Sequence, residues 1–244
     1  VKKRRHRWSS GTWALAGVGV TAAATLALSS FALDEARTER PGNAGQVAAV
    51  PEASAAAVAD ADDGPLLMSV LSDSHAYNTG SWWRQTVATG TFPGIYLGTT
   101  ASQPGAASTS LVPLLDQATA TGGAVVVQVG TNDLLSGRTP AQAVDGIAAL
   151  WEGVRDRGAE PVAALVPPSD EVPEEVLALN EAIRDAATAE DVPLLDVYST
   201  VADADGSWAD GLTVDRRHAN DAGSDLMAQA AREQLPAVIA ALGD

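Results

Sequence analysis

The sequence predicts an α/β fold: a parallel sheet of about five strands, covered by helices on both faces. Short apolar runs alternate with segments of helical period from Leu66 to the end of the chain. The runs are continuous rather than alternating, as strands buried on both faces read. Several end abruptly in glycine, proline or polar residues, the pattern of a strand opening into a loop at the carboxyl edge of such a sheet, where ligands bind.

The first strand is expected at 66–71 and stops at Ser72-Asp73-Ser74-His75. A helix near 81–88 carries Trp82 and Trp83, and 94–98 reads as the second strand. A Gly/Ser/Thr-rich loop leads to a helix at about 110–119. The run 124–129 is the clearest strand, β-branched and ended by Gly130. Thr139 is a helix cap with Pro140 at the first helical position, after which Val144, Ile147, Trp151 and Val154 recur at helical spacing. A fourth strand at 162–166 is stopped by Pro167 and Pro168. The stretch 174–188 reads as a helix with Val176, Leu179 and Ile183 on one face. A fifth strand follows at 194–198, then a last helix at about 221–242 that Pro236 is expected to bend.

Before this domain, residues 1–33 combine a basic tail with an uncharged run of 26 residues, Trp8 to Leu33. Basic flank first and acidic chain after is the positive-inside pattern, which puts the N-terminus in the cytoplasm and the bulk beyond the membrane. A signal-anchor and a cleaved signal peptide are both open; the length of the uncharged run favours the anchor, while Ser30-Phe31-Ala32 resembles a cleavage site. Residues 34–64 are acidic and Ala/Pro-rich without a sustained apolar period, which suits a disordered tether. The folded domain is expected at 65–244, a normal single-domain size.

Composition narrows the chemistry. Removing the +5 of Lys2, Lys3, Arg4, Arg5 and Arg7 from the overall charge of -16 leaves -21 on the remainder, which argues against nucleic acid as a partner. The chain has no cysteine, so there is no thiolate nucleophile and no thiolate metal site. Both lysines lie within the first three residues, which removes Schiff-base chemistry and a phosphate-loop lysine from the domain. Covalent chemistry then falls to serine, threonine or a carboxylate.

Ser74, at the end of the first strand, is the candidate nucleophile: its hydroxyl can attack a carbonyl while its own N–H faces the developing oxyanion. Of three histidines, His6 lies on the cytoplasmic side of the hydrophobic segment, and His75 adjoins Ser74, a spacing at which side chains do not converge. His218, entering the last helix, is left as the base, with Asp215 three residues earlier to hold its tautomer. Gly130-Thr131-Asn132-Asp133 follows the strongest strand, and an amide at that edge can donate to an oxyanion without a charge of its own.

Taken in order, Asp73-Ser74, a loop glycine, Gly130-Thr131-Asn132-Asp133 and Asp215-x-x-His218 resemble the SGNH hydrolases, also called GDSL esterases. The resemblance spans about 66–242 and includes Asn180 and Asp196. It implies a flavodoxin-like three-layer α/β/α sandwich and hydrolysis of an ester substrate through an acyl-serine, with no cofactor and no metal. It also implies Ser74 as nucleophile, His218 as base and Asp215 as its orienter. The oxyanion hole would comprise Ser74, Asn132 and a loop glycine, Gly105, with Gly98 the alternative. The sequence departs from the family in having Ser72 where a glycine usually precedes Asp-Ser. Asp210-Gly211-Leu212-Thr213 imitates the family's histidine block with threonine in place of the base, but His218 leads into Asn220 and Gly223 as the family does, so Thr213 is expected to be replaceable at little cost.

Trp82 and Trp83 could wall an acyl or sugar pocket, although helix-borne tryptophans are more often core. Asp203, Asp205 and Asp210 fit no standard calcium loop and read as a solvated turn. The expectation is an extracytoplasmic, membrane-anchored or secreted serine esterase of bacterial type, acting on a small-molecule, lipid or acylated-glycan ester. The competing readings are an acyltransferase or thioesterase on the same site and a catalytically silent envelope-binding module, for which Ser72 is the motive.

Overall fold

A computed structural model describes residues 66–90 and 92–243. The expected tail and membrane segment (1–33), the expected tether (34–64) and Pro65 lie outside the described residues.

The first half of the domain runs β1 (Leu66–Ser72), α1 (Ser74–Tyr77), α2 (Trp82–Thr86), β2 (Ile95–Ser102), two 3-10 turns (Ser108–Ser110 and Val112–Leu114), α3 (Leu115–Ala118) and β3 (Ala124–Gln128). The second half runs α4 (Thr131–Leu135), α5 (Pro140–Arg155), β4 (Glu160–Ala164), α6 (Pro173–Ala189), β5 (Leu194–Leu195) and α7 (Asp221–Leu242). All five strands are parallel, in the order β2-β1-β3-β4-β5. This is the α/β sheet the alternation of runs predicts.

Period-two placement explains why the runs are continuous. In β3, Val125 and Val127 pack with Trp151, Val154, Leu179 and Ile183 of α5 and α6. Ala124 and Val126 face the opposite side, with Trp82, Trp83, Met227 and Leu235 of α2 and α7. Each of these β3 residues therefore meets a helical layer, and a polar alternation would bury unpaired groups. The central strands β1 and β3 open at Ser72 and Gln128, side by side in register, and that shared edge carries the site.

The main differences from the sequence expectation fall in four places, each for a local reason. β2 extends to Ser102 through residues read as loop, because the Ser69 hydroxyl accepts the Thr99 N–H where the β1–β2 register shifts. A Cβ at Gly98 would collide there with the Ser69 and Thr121 side chains, so only glycine fits. The expected helix at 110–119 breaks into 3-10 turns before α3, with Pro113 inside the second turn. β4 begins and ends two residues early: Leu165 and Val166 run past it, and the Asn180 amide takes both the N–H and the C=O of Val166 at 2.8 and 2.9 Å. β5 is two residues rather than five, because the Asp196 carboxylate accepts the N–H groups of Tyr198 and Ser199 and turns the chain. α7 runs unbroken through Pro236.

Candidate active site

β1 is wholly buried over its last five residues, so the chain leaves the sheet at a fixed point. Asp73 caps the short α1 by accepting the His75 N–H at 3.0 Å, and Ser74 becomes the first helical residue. An N–H at that position has no intrahelical acceptor. Neither Ser74 N–H nor Gly105 N–H finds one elsewhere among the described residues. Ser72 does not crowd this end. Its hydroxyl lies 2.8 Å from that of Ser102 on β2 and donates to the Asp73 carbonyl at 3.2 Å, so the added side chain is taken up by partners on the strands.

The base arrives from the other end of the chain. The loop before α7 closes on itself through an antiparallel bridge between Thr213 and Ala219 and a hydrogen bond from Val214 N–H to the His218 carbonyl. His218 Nε2 stands 2.9 Å from Ser74 Oγ, and His218 Nδ1 stands 2.8 Å from Asp215 Oδ2. Partial burial alone would raise the Asp215 carboxyl. The hydrogen bonds from the His218 ring and from the backbone N–H groups of His218 and Arg217 outweigh it and bring the group down to about 2. Asp215 is thus an ionised acceptor that fixes the ring with Nδ1 protonated, leaving Nε2 free to accept.

Thr213 has a different part from the expected bystander. Its hydroxyl donates to the His218 carbonyl at 2.8 Å and accepts the Arg216 N–H at 2.9 Å. It ties the loop that presents the base, so replacing it is not free of cost.

Gly130 starts the third contribution with φ 147°, and a Cβ there would press on Leu179 at 2.7 Å, so the tight exit from β3 admits only glycine. Asn132 follows on α4. Its Nδ2 lies 3.1 Å from both Asp73 Oδ2 and the Ala106 carbonyl, so both amide protons meet protein acceptors. To meet an oxyanion the amide must exchange one of them. Ser74, Gly105, Asn132, Leu135, Arg217 and His218 line one open cleft of about 180 Å³. Gly98, the alternative glycine, is inside β2 and contributes no wall to this cleft.

Of the two tryptophans, Trp82 lines a depression of about 160 Å³ beside His75 and His218, and Trp83 lines neither that depression nor the Ser74 cleft. Trp82 and Trp83 are 1% and 0% exposed and pack against α7, and Trp82 Nε1 donates to Gln128 at 2.9 Å. Their size and apolar surface are spent on the core. Among the described residues no group of three or more His, Cys, Asp or Glu side chains is placed to hold a metal ion, and Asp205 is engaged with Ser207.

Sequence reasoning missed three supporting features. His75 does not reach Ser74. Its ring is buried 5.3 Å from that of His218, its Nε2 meets the Thr131 hydroxyl at 3.2 Å, and burial, aided by any charge on His218, pushes its pKa down to about 3. Asp73 is equally buried; desolvation raises its carboxyl to about 7 against the opposing pull of the His75 N–H, of a charge on His218 and of the Asn132 amide. Asp133, the last residue of the Gly130–Asp133 block, accepts the Ser108 N–H and hydroxyl at 2.7 Å each and the Arg138 guanidinium at 2.8 Å. That clasp ties the loop bearing Gly105 to the helix bearing Asn132.

Arg217 also makes a bidentate pair with Glu171 at 2.7 Å, while Arg216 donates to the Asp170 carbonyl. The pair Arg216-Arg217 facing Asp170-Glu171 was the available signal for this strap across the histidine loop.

A family model described as GDSL-like Lipase/Acylhydrolase family matches residues 70–226. Among solved structures, a member of the lipolytic protein G-D-S-L family from Veillonella parvula DSM 2008 is 18% identical, with a TM-score of 0.59 over 69% of this chain and 97% of that one. The M. smegmatis aryl esterase is 15% identical with a TM-score of 0.57, covering 71% of this chain and 99% of that one. The psychrotrophic esterase EstA from Pseudoalteromonas sp. is 18% identical with a TM-score of 0.56, covering 72% and 99%. At these identities the likeness is one of fold. No curated protein matches the sequence.

Proposed function

Because the chain belongs to the GDSL-like lipase/acylhydrolase family, whose activity is ester hydrolysis, we propose that it is a serine esterase acting through an acyl-Ser74 intermediate, beyond the cytoplasmic membrane. The observation that carries the reading is the line Ser74 Oγ to His218 Nε2 at 2.9 Å and His218 Nδ1 to Asp215 Oδ2 at 2.8 Å.

The steps follow from this geometry. Ser74 Oγ attacks the ester carbonyl as His218 Nε2 takes its proton. The negative charge that develops on the carbonyl oxygen is met by the free N–H groups of Ser74 and Gly105, with the Asn132 amide released from one protein acceptor to join them. The tetrahedral species collapses as the bond to the alcohol oxygen breaks, and His218 returns the proton to that oxygen. A water molecule then repeats the sequence on the acyl-serine, with His218 again as base. Asp215 stays ionised throughout and stabilises the imidazolium.

The placement beyond the membrane rests on the basic tail followed by the uncharged run, with the charge asymmetry behind it. Among the described residues no helix is long and apolar enough to cross a membrane, so attachment would fall to the N-terminal segment. The test is turnover of short- and long-acyl esters by residues 65–244, with and without Ser74, in the presence and absence of EDTA. Hydrolysis abolished by Ser74→Ala and indifferent to EDTA is expected. Hydrolysis that survives Ser74→Ala, or that EDTA removes and a divalent cation restores, contradicts the proposal.

A further inference from the structure

His218 and His75 each line two neighbouring depressions. One is the cleft of Ser74, Gly105 and Asn132. The other, of about 160 Å³, runs between the turn joining α1 to α2 and the first turn of α7, with Asn78, Gly80, Asp221 and Ser224 on its sides and Met227 among its lining residues. We propose that this second slot seats the alcohol half of the ester, and that the alcohol is uncharged and polyhydroxylated, a sugar being the simplest case. The inference rests on the serine-esterase reading for its place in the reaction.

Proton accounting fixes which half of the ester lies where. The proton that His218 Nε2 takes from Ser74 must go to the alcohol oxygen as its bond to the acyl carbon breaks, so that oxygen has to come within hydrogen-bond reach of the ring. The carbonyl oxygen is turned the other way, toward Gly105 and Asn132. The alcohol therefore departs past the imidazole, and the space beyond it is the second slot.

The lining fixes the chemistry. Asn78, Asp221 and Ser224 each line the slot, and none of their side chains makes a hydrogen bond among the described residues. Ser224 is 7% exposed as a residue, and the slot is the side from which it is reached. An acyl chain in the slot would strip water from all three and return nothing. A hydroxylated ring can accept from Asn78, donate to Asp221 and exchange with Ser224. Asp221 on the wall, together with a net charge of -16, disfavours an anionic alcohol. Trp82 is buried too completely to serve as a stacking surface, so recognition is by hydrogen bonds.

The test uses the full chain and two esters of one acid, an O-acetylated methyl glycoside and ethyl acetate, with the ratio of their kcat/KM as readout. Asp221→Asn and Asn78→Ala should each lower the ratio of glycoside ester to ethyl ester by at least about tenfold. Gly80→Leu adds bulk to the slot at a position where a Cβ meets nothing nearer than Asp221 Oδ1 at 3.7 Å, and it should lower the ratio further while the melting temperature stays near that of the parent. Lengthening the acyl group from acetyl to butanoyl should give the same preference in the parent and in all three variants.

An unchanged ratio overturns the proposal, as does an altered acyl-length preference, which would place the acyl chain in the slot. A second readout separates the slot from the esterase reading: saturation-transfer NMR of the unesterified methyl glycoside with the Ser74→Ala chain. Contact that Gly80→Leu removes supports the slot even if no ester is turned over. Absence of contact at tens of millimolar glycoside contradicts it even in an active esterase.

Discussion

The two halves of the site are held by different kinds of force. Ser74 stands at the end of a strand whose neighbours Leu71, Ser72 and Asp73 are fully buried, and β1 lies between β2 and β3 with a helical layer on each face. His218 and Asp215 stand on a loop, with side chains 26% and 49% exposed, held by hydrogen bonds and ion pairs to Thr213, Asp170 and Glu171. A nucleophile fixed by apolar packing should tolerate surface change, salt and mild denaturant. A base fixed by exposed polar contacts should not, because water and ions compete for the same bonds. The cleft should therefore fail first on its histidine side.

Removing either reacting group gives the largest effect. Ser74→Ala and His218→Ala should each lower kcat by about a thousandfold or more, and the double variant should fall little further, since the two act as a unit. Independent, multiplying losses in steady-state kinetics would show that they do not. Asp215→Asn should follow closely, at about a hundredfold or more in kcat with the melting temperature nearly unchanged, because it frees the ring to take the wrong tautomer. A loss of stability in proportion to the loss of rate would instead make Asp215 a structural residue.

Asn132→Ala sharpens the contrast on the packed side. Its amide is asked to meet charge present only in the transition state, so kcat should fall about a hundredfold while KM moves less. A KM effect alone would leave the amide tied to Asp73 and Ala106 throughout the reaction. Smaller again is the strap: Glu171→Gln should cost severalfold in kcat/KM. In the parent, added salt should lower activity by weakening the same pair, and in the variant that sensitivity should be reduced. Equal salt dependence in both proteins would mean that the strap does not hold the base.

The packed side has its own pH signature. Asp73 titrates near 7 in the fold against 3.8 unfolded, so it stabilises fully below 3.8 and that stability is lost as pH rises through 7. His75 titrates near 3 in the fold against 6.5 unfolded, so its contribution is present above 6.5 and is lost as pH falls through 3. Each shift of about three units is on the order of 4 kcal/mol, and over most of the range the two slopes oppose one another. Urea unfolding from pH 4 to 6.5 should thus be flatter for the parent than for either single variant. His75→Gln should lose stability with rising pH, and Asp73→Asn should gain it. Parallel curves for all three would contradict the burial argument.

What the sequence made legible follows the same division. Continuous apolar runs locate β1 and β3 within a residue, because a strand covered on both faces is apolar at most positions and a polar residue such as Ser69 must find partners, here Thr99 and Thr121. The cap Thr139 with Pro140 at the first helical position locates the start of α5, because its signal is local. Ser74, Asn132, Asp215 and His218 are legible as a spaced set of chemically unusual residues. The supports are not. Asp133 meets Ser108 across 25 positions, and Arg217 meets Glu171 across 46, pairings that no window of the chain contains. β5 was overread because Asp196 competes for the backbone after two residues, which an apolar run does not announce. The place of the tryptophans was undecided until the packing of α2 on α7 assigned them to the core.

The central claim is that Ser74 carries the acyl group, and intact-protein mass spectrometry after rapid acid quench of a p-nitrophenyl ester reaction tests it most directly. The account predicts a transient mass increase equal to one acyl group, mapped by peptide digestion to Ser74, prolonged in Asp215→Asn and absent in Ser74→Ala. Ester turnover with no adduct on Ser74, or an adduct on another residue that is competent for release, would contradict it.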